Sequence, residues 1–228
     1  MNMIWALFSV LMLIWTLATV RLAVMLPLLR SHEQKSPVRK RKRRVRIFAF
    51  LGSGGHTGEM LRILGTYKAQ LLDCSSELLV GYSDSDSVAK FEHWRQGEGI
   101  EATRIEYVPL LKAREVGSGL SDSVVSVSRA LLQSFHAVRH VTRDFSPDMG
   151  YVVLLNGPGT CCVLVFWLRL LEFFTFRRFK LLYVESLART ETLSLTGRLL
   201  QPIVDEFVVQ WPELARKYPR AHYYGVLV

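Results

Sequence analysis

Residues 46–67 read RIFAFLGSGGHTGEMLRILGTY, and the order of features along them decides the fold. RIFAFLG (46–52) is an apolar run of strand length that does not alternate with polar residues. Such a strand is buried on both faces, and in a parallel sheet helices cover both. A glycine-rich turn follows at 52–57, and the spacing after it predicts a helix over 57–67. A strand, a tight glycine turn and a helix form the first half of a βαβ unit.

The same pattern repeats outward from that unit. ELLVGY (77–82), TRIEYV (103–108), MGYVVLL (149–155), FKLLYV (179–184) and EFVVQ (206–210) read as further strands, and HYYGVLV (222–228) as a last short one. Helical segments are expected at 57–67, 85–96, 121–144, 160–174, 193–201 and 213–218. Apolar strands joined by helical crossovers imply an α/β, Rossmann-like parallel sheet in one domain over 47–228.

The N-terminus is different. From Ile4 to Leu29 the chain is apolar apart from Arg21. A helix that long extends about 35–40 Å, enough to cross a hydrocarbon core of about 30 Å. No basic residue precedes the run and the run is long, which argues against a cleaved signal peptide. Residues 1–29 are therefore expected to be a transmembrane anchor, with Arg21 reaching to the headgroups. Residues 30–46 (RSHEQKSPVRKRKRRVR) form a basic linker. Beside a membrane span such charge stays cytoplasmic, which places 47–228 in the cytosol rather than on nucleic acid.

Composition agrees. The 228 residues carry a net charge of +9 and are 50% hydrophobic, with mean hydropathy +0.19. Cys74, Cys161 and Cys162 offer neither a disulfide framework nor zinc spacing; the sequence indicates no cofactor and leaves a divalent-metal requirement open.

In parallel sheets ligands bind outside the carboxyl ends of the strands, and three loops there carry candidate chemistry. Gly52-Ser53-Gly54-Gly55-His56-Thr57 lets backbone approach a diphosphate at a helix N-terminus, beside a titratable imidazole. It lacks the spacing of a dinucleotide fingerprint and the lysine of a triphosphate loop. Asn156-Gly157-Pro158-Gly159-Thr160 is a rigid turn with exposed amides, where Thr160 is suited to cap the next helix. Glu185-Ser186-Leu187-Ala188-Arg189-Thr190 places a carboxylate at the end of a buried strand, which needs a partner such as Arg189 or a function. Asp84-Ser85-Asp86 looks like a metal-binding D-x-D, but its position favours capping of the following helix by Ser83, Asp84 or Asp86.

The motifs SGGHTxEM (53–60), NGPGTC (156–161), YVESxxRxETLSxxG (183–197) and VQWP (209–212) followed by KYP (217–219) resemble one family. It comprises the membrane-anchor subunits of the eukaryotic transferases that add the second N-acetylglucosamine to diphosphodolichol. The resemblance spans residues 46–228. More distantly, the chain is similar to the N-terminal, acceptor-binding domain of the bacterial lipid II-forming N-acetylglucosaminyltransferase, a two-domain GT-B enzyme.

The resemblance implies an N-terminal half of a split GT-B enzyme, held at the cytosolic face of the endoplasmic reticulum by a single span. A separate soluble subunit would bind UDP-N-acetylglucosamine and dock through the C-terminus. It further implies His56 as general base, with Glu185 as the other catalytic candidate. Ser53, Gly54, Gly55, Thr57, Asn156, Gly157, Gly159, Thr160 and Arg189 would hold the dolichol-linked acceptor, together with Arg114 from the 110–119 loop. Two other classes compete: a non-catalytic tether, to which three ligand-shaped strand ends are superfluous, and an independent kinase or epimerase, which would need a nucleotide fingerprint.

Overall fold

The computed structural model describes residues 2–27, 44–72, 76–100, 104–111, 120–143, 146 and 149–228, with backbone alone for 2–4, 6 and 120–130. Residues 112–119 of the 110–119 loop, Arg114 among them, Cys74 and nearly all of the basic linker lie outside the described residues.

Seven strands form one parallel sheet: β1 (Val45–Leu51), β2 (Ser76–Tyr82), β3 (Arg104–Pro109), β4 (Gly150–Asn156), β5 (Lys180–Val184), β6 (Glu206–Val209) and β7 (Ala221–Tyr223). Their order is β3-β2-β1-β4-β5-β6-β7, with every neighbouring pair parallel. The expected Rossmann-like α/β fold is therefore the observed one. The order reverses between β1 and β4, and that switch point is where a doubly wound sheet opens a crevice for ligand.

Helices cover both faces. On one side α2 (Gly55–Thr66), the single turn α3 (Lys68–Leu71) and α4 (Ser85–Gly97) close over Ile47, Ala49, Leu51, Leu78 and Val80. On the other, α5 (Leu120–Val141) and α6 (Thr160–Thr175) pack over Phe48, Phe50, Val153 and Leu155. Alternate residues of β1 thus feed opposite cores, which is why RIFAFL carries no polar face. Two short helices, α7 (Leu195–Leu200) and α8 (Pro212–Lys217), finish the crossovers to β6 and β7.

Several boundaries differ from the sequence reading. The first body helix starts at Gly55 rather than residue 57, because Gly54 adopts φ +66° and turns the chain into the helix two residues early. Thr160 does not cap α6. Gly159 holds that position, and the chain instead tightens through Cys161 N–H to Pro158 O (2.9 Å) and Cys162 N–H to Gly159 O (3.0 Å). Asp84 does cap α4, accepting from the Ser87 amide at 2.8 Å. The final strand ends at Tyr223. Beyond it the chain folds back, Leu227 N–H donating to Gln210 Oε1 (2.9 Å) while Leu227 and Val228 pack beside Ile63 and Tyr67.

The N-terminal apolar run is one helix, α1 (Asn2–Met25), in which Leu7–Met25 is long and apolar enough to cross a membrane. Arg21 does not hang free. Its guanidinium donates to the Glu172 and Phe173 carbonyls in the last turn of α6 and lies 4.1 Å from the Phe176 ring centroid. A cation there meets the negative end of the α6 dipole and satisfies carbonyls the helix leaves unpaired.

Candidate active site

The first residues beyond β1 and the last residue of β4 meet at the switch point. His56 occupies the first turn of α2, and its Nδ1 lies 3.0 Å from Asn156 Oδ1 at the end of β4. The surrounding bonds settle which atoms carry protons. Asn156 Nδ2 donates to the Val184 carbonyl (3.1 Å) and to Glu59 Oε2 (2.8 Å), both of which only accept. The amide oxygen must then face His56, so Nδ1 is the protonated nitrogen and Nε2 carries the lone pair. Among the described residues nothing bonds to Nε2, and the His56 side chain is 31% exposed.

Glu59 lies one turn further along α2, on the same face as His56. Its Oε2 is 3.7 Å from His56 Nδ1, an ion-pair distance rather than a hydrogen bond. Its Oε1 accepts from Ser186 Oγ (2.8 Å) and the Leu187 amide (3.2 Å). The Glu59 carboxylate raises the imidazole pKa above its ordinary 6.5, against an opposing push from burial. Burial pushes the Glu59 carboxyl upward, but the nearby His56 imidazole and the bonds from Ser186 and Asn156 outweigh that and hold it below the usual value. Glu59 was not among the site residues expected from sequence. The signal was its three-residue spacing from His56, which in a helix means a shared face.

The glycines are shaped around this pair. Gly157 has φ +91°, and a Cβ built there would fall 2.3 Å from His56 Nδ1. Its hydrogen atom is what leaves room for the imidazole against the β4 turn. Ser53, Gly54, Gly55 and Gly159 are exposed at the mouth, where the first amides of α2 point outward unpaired within the helix. These are the groups an anion would meet.

Other expected residues sit deeper or apart. Thr57 is fully buried and its hydroxyl bonds internally to the Gly52 carbonyl and to Ser87 Oγ, so the expected ligand contact is not open at this residue. Thr160 is also buried. Glu185 is 1% exposed. Its Oε1 accepts from the Ser186 amide (3.1 Å) and its Oε2 from both the amide and the hydroxyl of Ser194, each 3.0 Å. Ser194 in turn caps α7 through the Gly197 amide at 2.9 Å. Both carboxylate oxygens are thus spent on the loop that ends at α7. The pairing with Arg189 does not form: that residue is exposed, and the serines satisfy Glu185 instead.

Comparison with known proteins gives the family. The Alg14-like oligosaccharide biosynthesis protein family matches residues 47–227. The chain is 54% identical over 183 residues to the UDP-N-acetylglucosamine transferase subunit ALG14 of Eremothecium gossypii, covering 80% of each. Against the subunit of the same name in Kluyveromyces lactis it is 42% identical over 229 residues, covering 95% of this chain and 97% of that one. Among solved structures it aligns with a putative UDP-N-acetylglucosamine 2-epimerase from Listeria monocytogenes at TM-score 0.49 and 12% identity, covering 77% of this chain and 44% of that one. With its whole α/β body matched and a relative alignable over nearly its full length, the chain belongs to the Alg14-like family of oligosaccharide biosynthesis proteins.

Proposed function

We propose that this chain is the acceptor-binding, membrane-anchoring subunit of a UDP-N-acetylglucosamine transferase, acting on N-acetylglucosaminyl-diphosphodolichol at the cytosolic face of the endoplasmic reticulum. The observation that carries this reading is the His56–Asn156 contact at the switch point, which fixes the imidazole with Nε2 free beside a ring of exposed amides. In this reading the acceptor diphosphate lies on the amides of Gly54 and Gly55, with Thr57 behind them in the core. Its sugar hydroxyl points at Nε2.

As that hydroxyl attacks the donor anomeric carbon, the new C–O bond forms, the bond to UDP breaks, and Nε2 takes the hydroxyl proton. The doubly protonated ring is then steadied by the Glu59 carboxylate 3.7 Å away. Glu185, with both oxygens engaged, acts by positioning the 186–194 loop rather than as the base. Gly157 and Gly159 shape the wall, and Arg189 is free at its rim.

The other half of the active site is assigned to a separate soluble subunit that binds the UDP-sugar. The exposed Tyr223, Tyr224 and Val226 at the edge beyond β6 favour docking through the C-terminal segment. Anchoring is assigned to α1, with the basic linker fixing the body in the cytosol.

Equilibrium binding to the isolated chain tests the division of labour. A short-chain N-acetylglucosaminyl-diphospholipid should bind and UDP-N-acetylglucosamine should not. Tight binding of the nucleotide sugar to this chain alone would overturn the reading.

A further inference from the structure

Asn156 and Gly157 form the wall beside the His56 imidazole, and consecutive residues of β5 grip them both. Val184 offers its backbone carbonyl to Asn156 Nδ2 at 3.1 Å. Tyr183 donates its hydroxyl to the Gly157 carbonyl, also at 3.1 Å, in a bond buried inside the molecule. The ladder between β4 and β5 ends with Asn156 opposite Val184, so Gly157 lies one residue past the last paired position. A side chain does for its carbonyl what a neighbouring strand does for those before it.

A tyrosine is a costly choice for that place. Tyr183 is 0% exposed, and its ring stacks on Phe207 with centroids 5.4 Å apart and planes at 19°. Phenylalanine would fill nearly the same volume, and a buried hydroxyl costs free energy unless it is bonded. Burial pushes the phenol above its ordinary pKa of 10, so at working pH it is a protonated donor. The surrounding groups say where that proton points. Ser194 Oγ, 3.5 Å away, gives its own proton to the Glu185 carboxylate, whereas the Gly157 carbonyl can only accept.

What rests on that carbonyl is the imidazole. A Cβ built on Gly157 would fall 2.3 Å from His56 Nδ1, 2.4 Å from Cγ and 2.5 Å from Cε1, so the glycine lies directly against the ring. Glycine constrains its own peptide least. Without the Tyr183 bond this peptide can turn, and the surface the ring leans on turns with it.

We propose that Tyr183 is a positioning residue for His56: its hydroxyl holds the Gly157 peptide so that the ring stays against Asn156, with Nδ1 protonated and Nε2 facing the cleft. The proposal rests on the reading of His56 as the base and adds the brace that aims it. Misplacing a reacting group by about 1 Å costs on the order of 10²-fold in rate, which sets the size of the effect.

The test compares Tyr183→Phe, which keeps the stacked ring and removes the bond, with His56→Ala and with Phe207→Leu, which loosens the stack and keeps the hydroxyl. Each full chain in detergent micelles is assayed with its donor-binding subunit for transfer to a short-chain N-acetylglucosaminyl-diphospholipid. Each is also studied alone by long-range proton–nitrogen NMR of nitrogen-labelled histidine, at a pH above the imidazole pKa, with His56 assigned from its substitution. Wild-type His56 should show the single Nδ1-protonated tautomer. Tyr183→Phe should turn it into a mixture and lower kcat by about 10–10²-fold, with KM within about two-fold of wild type. Phe207→Leu should lower the unfolding temperature and keep both kcat and the tautomer.

A mixture of tautomers in the wild type would refute the proposal before any substitution is made. Tyr183→Phe with the single tautomer retained, or with wild-type kcat, would overturn the brace, and an impaired His56→Ala beside it would leave the base assignment standing. Near-normal turnover in both His56→Ala and Tyr183→Phe would overturn the base assignment and this proposal with it. Equal losses of kcat in Tyr183→Phe and Phe207→Leu would reduce Tyr183 to a packing residue.

Discussion

The tautomer of a histidine is set by its neighbours. Here the decisive neighbour is an amide: Val184 O and Glu59 both require donors, so Asn156 can offer His56 only its oxygen. The carboxylate then sets the strength of the base. Because Glu59 raises the His56 pKa above 6.5, Nε2 should be unprotonated above that raised value, and activity should be lost as pH falls through it. The acid limb of kcat/KM for the assembled enzyme should therefore have its midpoint above 6.5. Glu59→Gln should move that midpoint downward, and a profile unchanged by the substitution would remove Glu59 from this role. Glu185 calls for a different expectation. Its oxygens meet three donor groups of Ser186 and Ser194. In Glu185→Gln an amide NH2 opposes a donor, so activity and stability should fall together, the latter by about 1–3 kcal/mol in denaturant unfolding. Full stability with lost turnover would restore it as a base.

At the scale of elements, most of the fold is legible in the sequence because strands buried on both faces must be apolar throughout, as 46–52 and 149–155 are. What is not legible depends on tertiary contact. Nothing in GSGGHT announces that Gly54 turns the chain two residues early, since glycine accepts many conformations equally. Glu185 and Arg189 look like a pair four residues apart, but the chain beyond them turns back so that Ser194, with Ser186, satisfies the carboxylate instead. The tyrosines and valines of 222–228 read as a strand, yet Gly225, at φ +93°, breaks the run and the tail returns over α2. Glu59, three residues after His56 within α2, passes for an ordinary helix polar residue until β4 is brought alongside. Helix α6 gives the element-scale prediction. Arg169→Met would leave Glu172 buried without its guanidinium, which should cost about 3–5 kcal/mol, read as a large loss in thermal unfolding; a shift near zero would show that water or another group compensates.

Over the whole molecule, the apolar helix α1 meets the α/β body at the end of α6, where Arg21 bonds the Glu172 and Phe173 carbonyls. In the proposed reading α1 crosses the endoplasmic reticulum membrane with the basic linker behind it, which would leave the N-terminus luminal and the body cytosolic. Protease added to sealed microsomes should therefore digest residues 47–228, and protection of the body would reverse the orientation. Turnover by the chain reconstituted with its donor-binding partner then tests the central claim, that His56 at the β1–β4 switch point is the base. Transfer of N-acetylglucosamine from UDP-N-acetylglucosamine to a short-chain N-acetylglucosaminyl-diphospholipid is measured for the wild type and for His56→Ala. The substitution should lower turnover by about 10²–10⁴-fold with co-purification of the partner unchanged. Near-normal turnover in His56→Ala would contradict it.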